Sequence, residues 1–136
     1  MAEYCDITIK NHKRYNKKIV FVIFKECYID DATILQKVVE DYHSIVTQHK
    51  GISSVIDTRN IKGCRKMLAF SQGRDMKKYE EIVKKNLICL SIIMDNVILE
   101  NLLNAVTSVQ PFVIPAKVVK NNTDALDFLI ENFNKT

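Results

Sequence analysis

Four groups of residues in this chain could do chemistry, and each sets its own requirement. Cys64 stands in "KGCRK", with Lys62, Arg65 and Lys66 as basic neighbours. Cations around a thiol that precedes a helix would lower its pKa. A nucleophilic cysteine also needs a placed base and an oxyanion site, and neither can be read nearby. Asp57 and Asp95 each close a run that reads as a strand, "ISSVID" and "LICLSIIMD". Open α/β sheets place their binding crevices beyond such strand ends. Two carboxylates there could hold a divalent cation or do acid–base work. They could equally cap the helices that follow, as "DN" at 95–96 is suited to do. With no phosphate loop, no Gly-x-Ser-x-Gly and no His-Glu-x-x-His in the chain, capping is the simpler reading.

The remaining titratable groups narrow the field. His43 and His49 are six residues apart and do not share a helical face, while His12 falls in an expected hairpin turn, so the three make no ligand set. The four cysteines (Cys5, Cys27, Cys64 and Cys89) contain no CxxC pair, which argues against a zinc knuckle or a redox motif. They are expected to be free thiols packed as small hydrophobes in a reducing compartment. No cofactor and no metal are expected.

The fourth group is the basic residues. Residues 59–85 hold nine Lys or Arg against three Asp or Glu, beginning with Arg59, Lys62, Arg65 and Lys66, and a smaller basic cluster occupies 10–18. Such a local excess attracts anionic lipid headgroups, phosphorylated partners or nucleic acid, unless it is only a solvated lysine face. Lysine outnumbers arginine 16 to 4, tryptophan is absent, and the aromatic residues sit mainly in core-like positions. No base-stacking platform can be read, so specific nucleic-acid binding is not expected.

The elements that must position these residues are legible in the hydrophobic pattern. "DITIK" alternates and "KKIVFVIFK" is a solid β-branched and aromatic run, with a polar turn between them, so the two read as an antiparallel hairpin. "DDATILQKVVEDYHSIVTQHKG" opens on aspartates suited to cap a helix and closes on Gly51. Ile34, Leu35, Val38, Val39, Tyr42, Ile45 and Val46 form its inner face. "ISSVID" reads as a strand and "CRKMLAFSQGRDMKKYEEIVKKN" as a helix, with Met67, Leu68, Tyr79, Ile82, Val83 and Leu87 inward and Gly73 as a kink point. "LICLSIIM" is a strand, followed by a helix with Leu99, Leu102, Leu103 and Val106 inside. "FVIPAKVV" reads as a strand that Pro115 assigns to a sheet edge or an entry bend. "NTDALDFLIENF" is a closing helix, capped by Asn122 or Thr123, with Leu126, Leu129, Ile130 and Phe133 inward.

The resulting order, β-β-α-β-α-β-α-β-α, predicts one α/β domain over residues 1–136. Its single sheet is mostly parallel, with an N-terminal antiparallel hairpin and about four helices. The composition, 47% apolar and 26% charged, is that of a globular protein. The longest apolar run, "IVFVIF", is far short of the roughly 20 residues of a membrane span. The N-terminus has no apolar signal region, so a cytoplasmic location is expected.

Val55–Asp57, Ile88–Asn96, Lys117–Val119 and Ala125–Leu129, in this order, resemble the pattern of the STAS superfamily, the sulfate-transporter and anti-sigma-factor-antagonist domain. The likeness extends to its divergent branch related to the lipid-binding CRAL-TRIO fold. It implies a STAS-like fold and a cavity between helix and sheet that could take an apolar ligand. STAS antagonists that switch by phosphorylation carry an acceptor serine at a helix N-terminus. Laid on that pattern, the acidic position becomes Arg65 and the acceptor becomes Lys66, so the switch motif is absent; Thr58, at a strand end, reads as structural. The expected function is a non-enzymatic binding or regulatory module for an anionic protein partner or a lipid or small apolar ligand. Arg59, Lys62, Arg65 and Lys66 would meet the partner, with Asp57 and Asp95 shaping the crevice. A homo-oligomeric assembly subunit, such as a homodimer, and a small enzyme using Cys64 or Asp57 and Asp95 are the alternatives.

Overall fold

Val20, Val22 and Phe24 point to one side of their strand and Ile19 and Phe21 to the other, and both sides meet apolar neighbours. A strand with this composition belongs inside a sheet whose two faces are covered. The computed structural model describes residues 4–68, 77–109 and 111–134. Their elements run β1 (Cys5–His12), β2 (Lys17–Phe24), β3 (Cys27–Ile29), α1 (Ala32–Gln48), β4 (Ile52–Asp57) and β5 (Ile61–Cys64). They continue with α2 (Glu80–Asn86), β6 (Leu87–Ile93), α3 (Val97–Val109), β7 (Ala116–Val119) and α4 (Asn122–Phe133).

The main sheet has the order β1-β2-β4-β6-β7. The β1–β2 hairpin is antiparallel, and β2–β4, β4–β6 and β6–β7 are parallel. This is the mixed α/β sheet expected from the sequence, and β7 lies at its edge as Pro115 implied. The strand is shorter than "FVIPAKVV", because it begins only after the proline; Pro115 has no N–H, and its carbonyl accepts from Leu90 N at 3.0 Å.

The helices divide unequally between the two faces. Ala125, Leu129 and Phe133 of α4 pack alone against Ile19, Val55, Cys89, Ile93 and Val119. On the other face the sheet meets α1 through Val38 and Val46, α2 through Ile82 and Val83, and α3 through Leu99 and Leu103. The inner residues expected for α1, α3 and α4 lie in these clusters or line the space between them.

Three local expectations need correction. Residues 61–64, Cys64 among them, form a strand and not the start of a helix, and β5 pairs in parallel with the unforeseen β3 in a second, two-stranded sheet. Gly63 fits the pairing: a Cβ there would come within 2.5 Å of the Tyr28 ring, so the ring lies across the two strands in the space that glycine leaves. Met67, expected inward, is 76% exposed. The helix expected over 64–86 has α2 as its C-terminal part, and residues 69–76, with Gly73 and Arg74, lie outside the described residues. Finally, α4 is capped one residue earlier than expected: Asn121 Oδ1 accepts from Asp124 N at 2.8 Å.

A candidate apolar ligand site between the helices and the sheet

Where three helices share one face, the space between them is not closed. A cavity of about 330 Å³ lies against β2, β4 and β6, walled by α1 and α3 and bounded by α2 and residues 111–114. Val22, Ile56 and Ile92 form its floor, Val39 one wall, and Leu103 and Val106 the other. Its volume is at the lower end of the ~300–1,000 Å³ usual for small-molecule sites. The sequence supplies this lining because α1 and α3 turn their apolar stripes to the same face of the sheet.

The polar groups of the wall are few, and their partners are specific. Tyr42 Oη lies 2.6 Å from Ser54 Oγ, and burial pushes the phenol up to about 12 despite the serine's opposing effect, so it stays neutral. His43 stacks on Tyr79 with ring centroids 3.8 Å apart. Burial holds its pKa below the usual histidine value, against a hydrogen bond to the Val39 carbonyl. That carbonyl, 2.8 Å from Nδ1, can only accept, so Nδ1 carries the hydrogen and Nε2 the lone pair. Thr58 Oγ1 donates to Ile93 O at 2.7 Å and Glu80 pairs with Lys84 at 3.3 Å. Thr58 is 8% exposed and committed to this bond, as its structural reading anticipated. Cys64 also lines the cavity, and burial, with Cys27 nearby, raises its pKa. The expectation of an activated thiol is thereby overturned, because the cationic neighbours lie along the chain while the thiol faces the apolar side.

The residues singled out in the sequence lie mostly outside this cavity. Asp57 receives Arg59 Nε at 3.0 Å, Nη2 at 2.8 Å and the Arg59 backbone N–H at 3.1 Å. The Arg59 side chain holds the carboxyl below its usual range, more than burial raises it. Asp57 therefore closes a turn into β5 and caps no helix. Asp95 is exposed, and its charge adds to the stabilisation of the Arg59 cation. Asn96, its neighbour, caps α3 by accepting from Ile98 N at 2.9 Å. The fold thus brings Asp57, Arg59 and Asp95 together. Lys62 lies apart from them, 4.0 Å from Glu26, and Arg65 Nη1 donates to the Asp30 carbonyl at 3.4 Å; Lys66 is exposed. Of the other basic positions in 59–85, Arg74 lies outside the described residues.

The cavity residues carried a weak signal. Tyr42 and His43 put polar atoms on or beside an apolar stripe, and Ser53 and Ser54 sit in a strand that is otherwise buried hydrocarbon. Among the described residues no three His, Cys, Asp or Glu side chains gather as a metal site, and no helix is long and apolar enough to cross a membrane.

No family model matches the sequence, and no curated protein matches it. Among solved structures it is similar to an uncharacterised protein of the DUF3478 family, with a SpoIIAA-like fold, from Shewanella loihica PV-4. The two are 17% identical, the superposition covers 93% of each chain, and the TM-score is 0.58. At this identity the likeness concerns the fold alone, and it agrees with the strand order and helix placement above: the chain has a SpoIIAA-like, STAS-like α/β fold.

Proposed function

We propose that the chain is a non-catalytic binding module whose ligand is a small apolar molecule or a single hydrocarbon chain. The observation that carries this reading is the cavity of about 330 Å³ between α1, α3 and the sheet, with its largely hydrocarbon wall. Transfer of apolar surface from water into such a wall is worth roughly 25 cal/mol per Å². A site this small suits one chain or a compact ring system better than a two-chain lipid. The STAS and CRAL-TRIO resemblance in the sequence supports the same placement of a ligand.

The reading in which Arg59, Lys62, Arg65 and Lys66 recognise an anionic partner has less support. Arg59 is engaged by Asp57, while Glu26 and the carbonyl of Asp30 lie beside Lys62 and Arg65. Native mass spectrometry of freshly purified protein, with organic extraction of the same sample, tests the proposal. A bound apolar mass, lost on Leu103→Trp substitution that fills the cavity, is the expected result. A clean apo protein that also fails to take up added hydrocarbon ligands would sink the reading.

A further inference from the structure

We infer that the cavity selects a neutral apolar ligand whose polar end donates a hydrogen bond, an alcohol or phenol, and disfavours carboxylates and phosphates. This rests on the apolar-ligand reading above and specifies its chemistry. Among the described lining residues there is no lysine and no arginine, and the single fully charged side chain is the carboxylate of Glu80. An anionic headgroup entering this wall would shed its hydration with no cation to replace it, which is costly in an apolar setting. It would also meet the negative charge of Glu80, which exposed Lys84 balances only in part.

The wall's own hydrogens are largely committed. Thr58 gives its hydroxyl hydrogen to Ile93 O, His43 gives Nδ1–H to Val39 O, and Tyr42 and Ser54 share one short hydrogen bond that uses one of their two hydroxyl hydrogens. What stays available on His43, Thr58 and Glu80 is lone pairs: Nε2 of His43, the Thr58 oxygen, and a Glu80 carboxylate oxygen beyond the one on Lys84. A wall whose acceptors outnumber that one spare hydroxyl hydrogen is satisfied by a donor, and a ligand without one leaves acceptors unpaired once water is expelled.

The test uses three probes of one length: 1-decanol, methyl nonyl ether and decanoate at pH 7.5, where the last is ionised. Affinities are read by isothermal titration calorimetry and by the shift in melting temperature. The alcohol is expected to bind up to about tenfold more tightly than the ether, the scale of one net hydrogen bond. Decanoate is expected to be weaker still. Glu80→Gln should narrow the gap between alcohol and decanoate, and His43→Phe, which keeps a ring over Tyr79, should narrow that between alcohol and ether. Ether binding as tightly as alcohol, or decanoate binding as tightly as either, would overturn the inference while leaving the cavity reading standing. If no probe binds, the cavity reading itself fails.

Discussion

The two faces of the sheet solve the same burial problem differently. On the α4 face one helix lies along the strands, and Leu129, Ala125, Cys89 and Ile93 are each 0% exposed. The polar groups there are small and paired: Ser91 Oγ donates to Ala125 O at 2.8 Å, and Cys89 Sγ lies 3.5 Å from Ser53 Oγ. On the opposite face three helices share the cover, and Leu102, Leu103, Tyr42 and His43 stay half-buried around a cavity. One face is packed to exclude and the other to leave room. This asymmetry is what suggests a ligand.

The largest effect that would test this contrast is truncation on the closed face. Leu129→Ala should cost about 2–5 kcal/mol, the range for deleting a buried leucine in a core that cannot collapse. Leu103→Ala on the open face should cost less than half as much, because part of that side chain already borders empty space. Urea unfolding of both variants decides it, and equal costs would break the comparison.

Adding volume should have opposite signs on the two faces. Ala125→Leu inserts methylenes under α4 where no space exists, and is expected to destabilise by about 1–3 kcal/mol. Leu103→Phe grows into the cavity, and is expected to stabilise by about 0.5–2 kcal/mol while weakening any apolar ligand. Melting temperatures in the presence and absence of 1-decanol separate the two effects. A stability loss for Leu103→Phe comparable to that for Ala125→Leu would mean that the open face is as tightly packed as the closed one.

A smaller effect belongs to the open face alone. Burial lowers the His43 pKa in the folded chain, so the unfolded chain takes up the proton more readily. Stability from this group is complete above the ordinary histidine pKa of about 6.5 and is lost as pH falls below it. The melting temperature should decline between pH 7.5 and 5.5, and His43→Phe should remove part of that slope. An unchanged slope in the variant would show that the ring is not held neutral by its place in the wall.

How much of this was readable in the chain follows from where the physics is local. The alternation in β1, the solid apolar run of β2 and the 3.6-residue stripes of α1, α3 and α4 are local patterns, and they place the order of elements and the cores without a structure. The β3–β5 pair is not local: it sets Tyr28 against Gly63, two residues 35 positions apart, and "IKGC" carries only one β-branched residue. The surroundings of the basic residues are likewise only partly local. Arg59, Lys62, Arg65 and Lys66 read as a run because they are close in sequence, but Asp57 engages Arg59 from two residues away, and Glu26 and the Asp30 carbonyl come to Lys62 and Arg65 through the fold. A cavity, being an absence of atoms between elements, leaves almost no trace in any one of them. Its hint was the polar pair His43 and Tyr42 beside the stripe of α1.

The smallest expected effect concerns the residue that looked most functional. Asp57 and Arg59 form a two-point ion pair, yet Arg59 is exposed and water screens the charges. Asp57→Asn keeps the shape and the turn-closing carbonyl oxygen while removing the charge, so its cost should stay within about 0.2–1 kcal/mol and shrink in high salt. The sign of its pH dependence is set by the Arg59 hydrogen bonds that hold the Asp57 carboxyl below its usual range. That contribution is present above the unfolded pKa of about 3.8 and is lost as pH falls further, so wild type and Asp57→Asn should converge in stability in acid. The window lies well below that of His43, so a pH series on the two single variants separates the strand-end pair from the cavity wall. A cost for Asp57→Asn above about 2 kcal/mol at pH 7, or a change in its affinity for 1-decanol, would tie the strand-end pair to the ligand site.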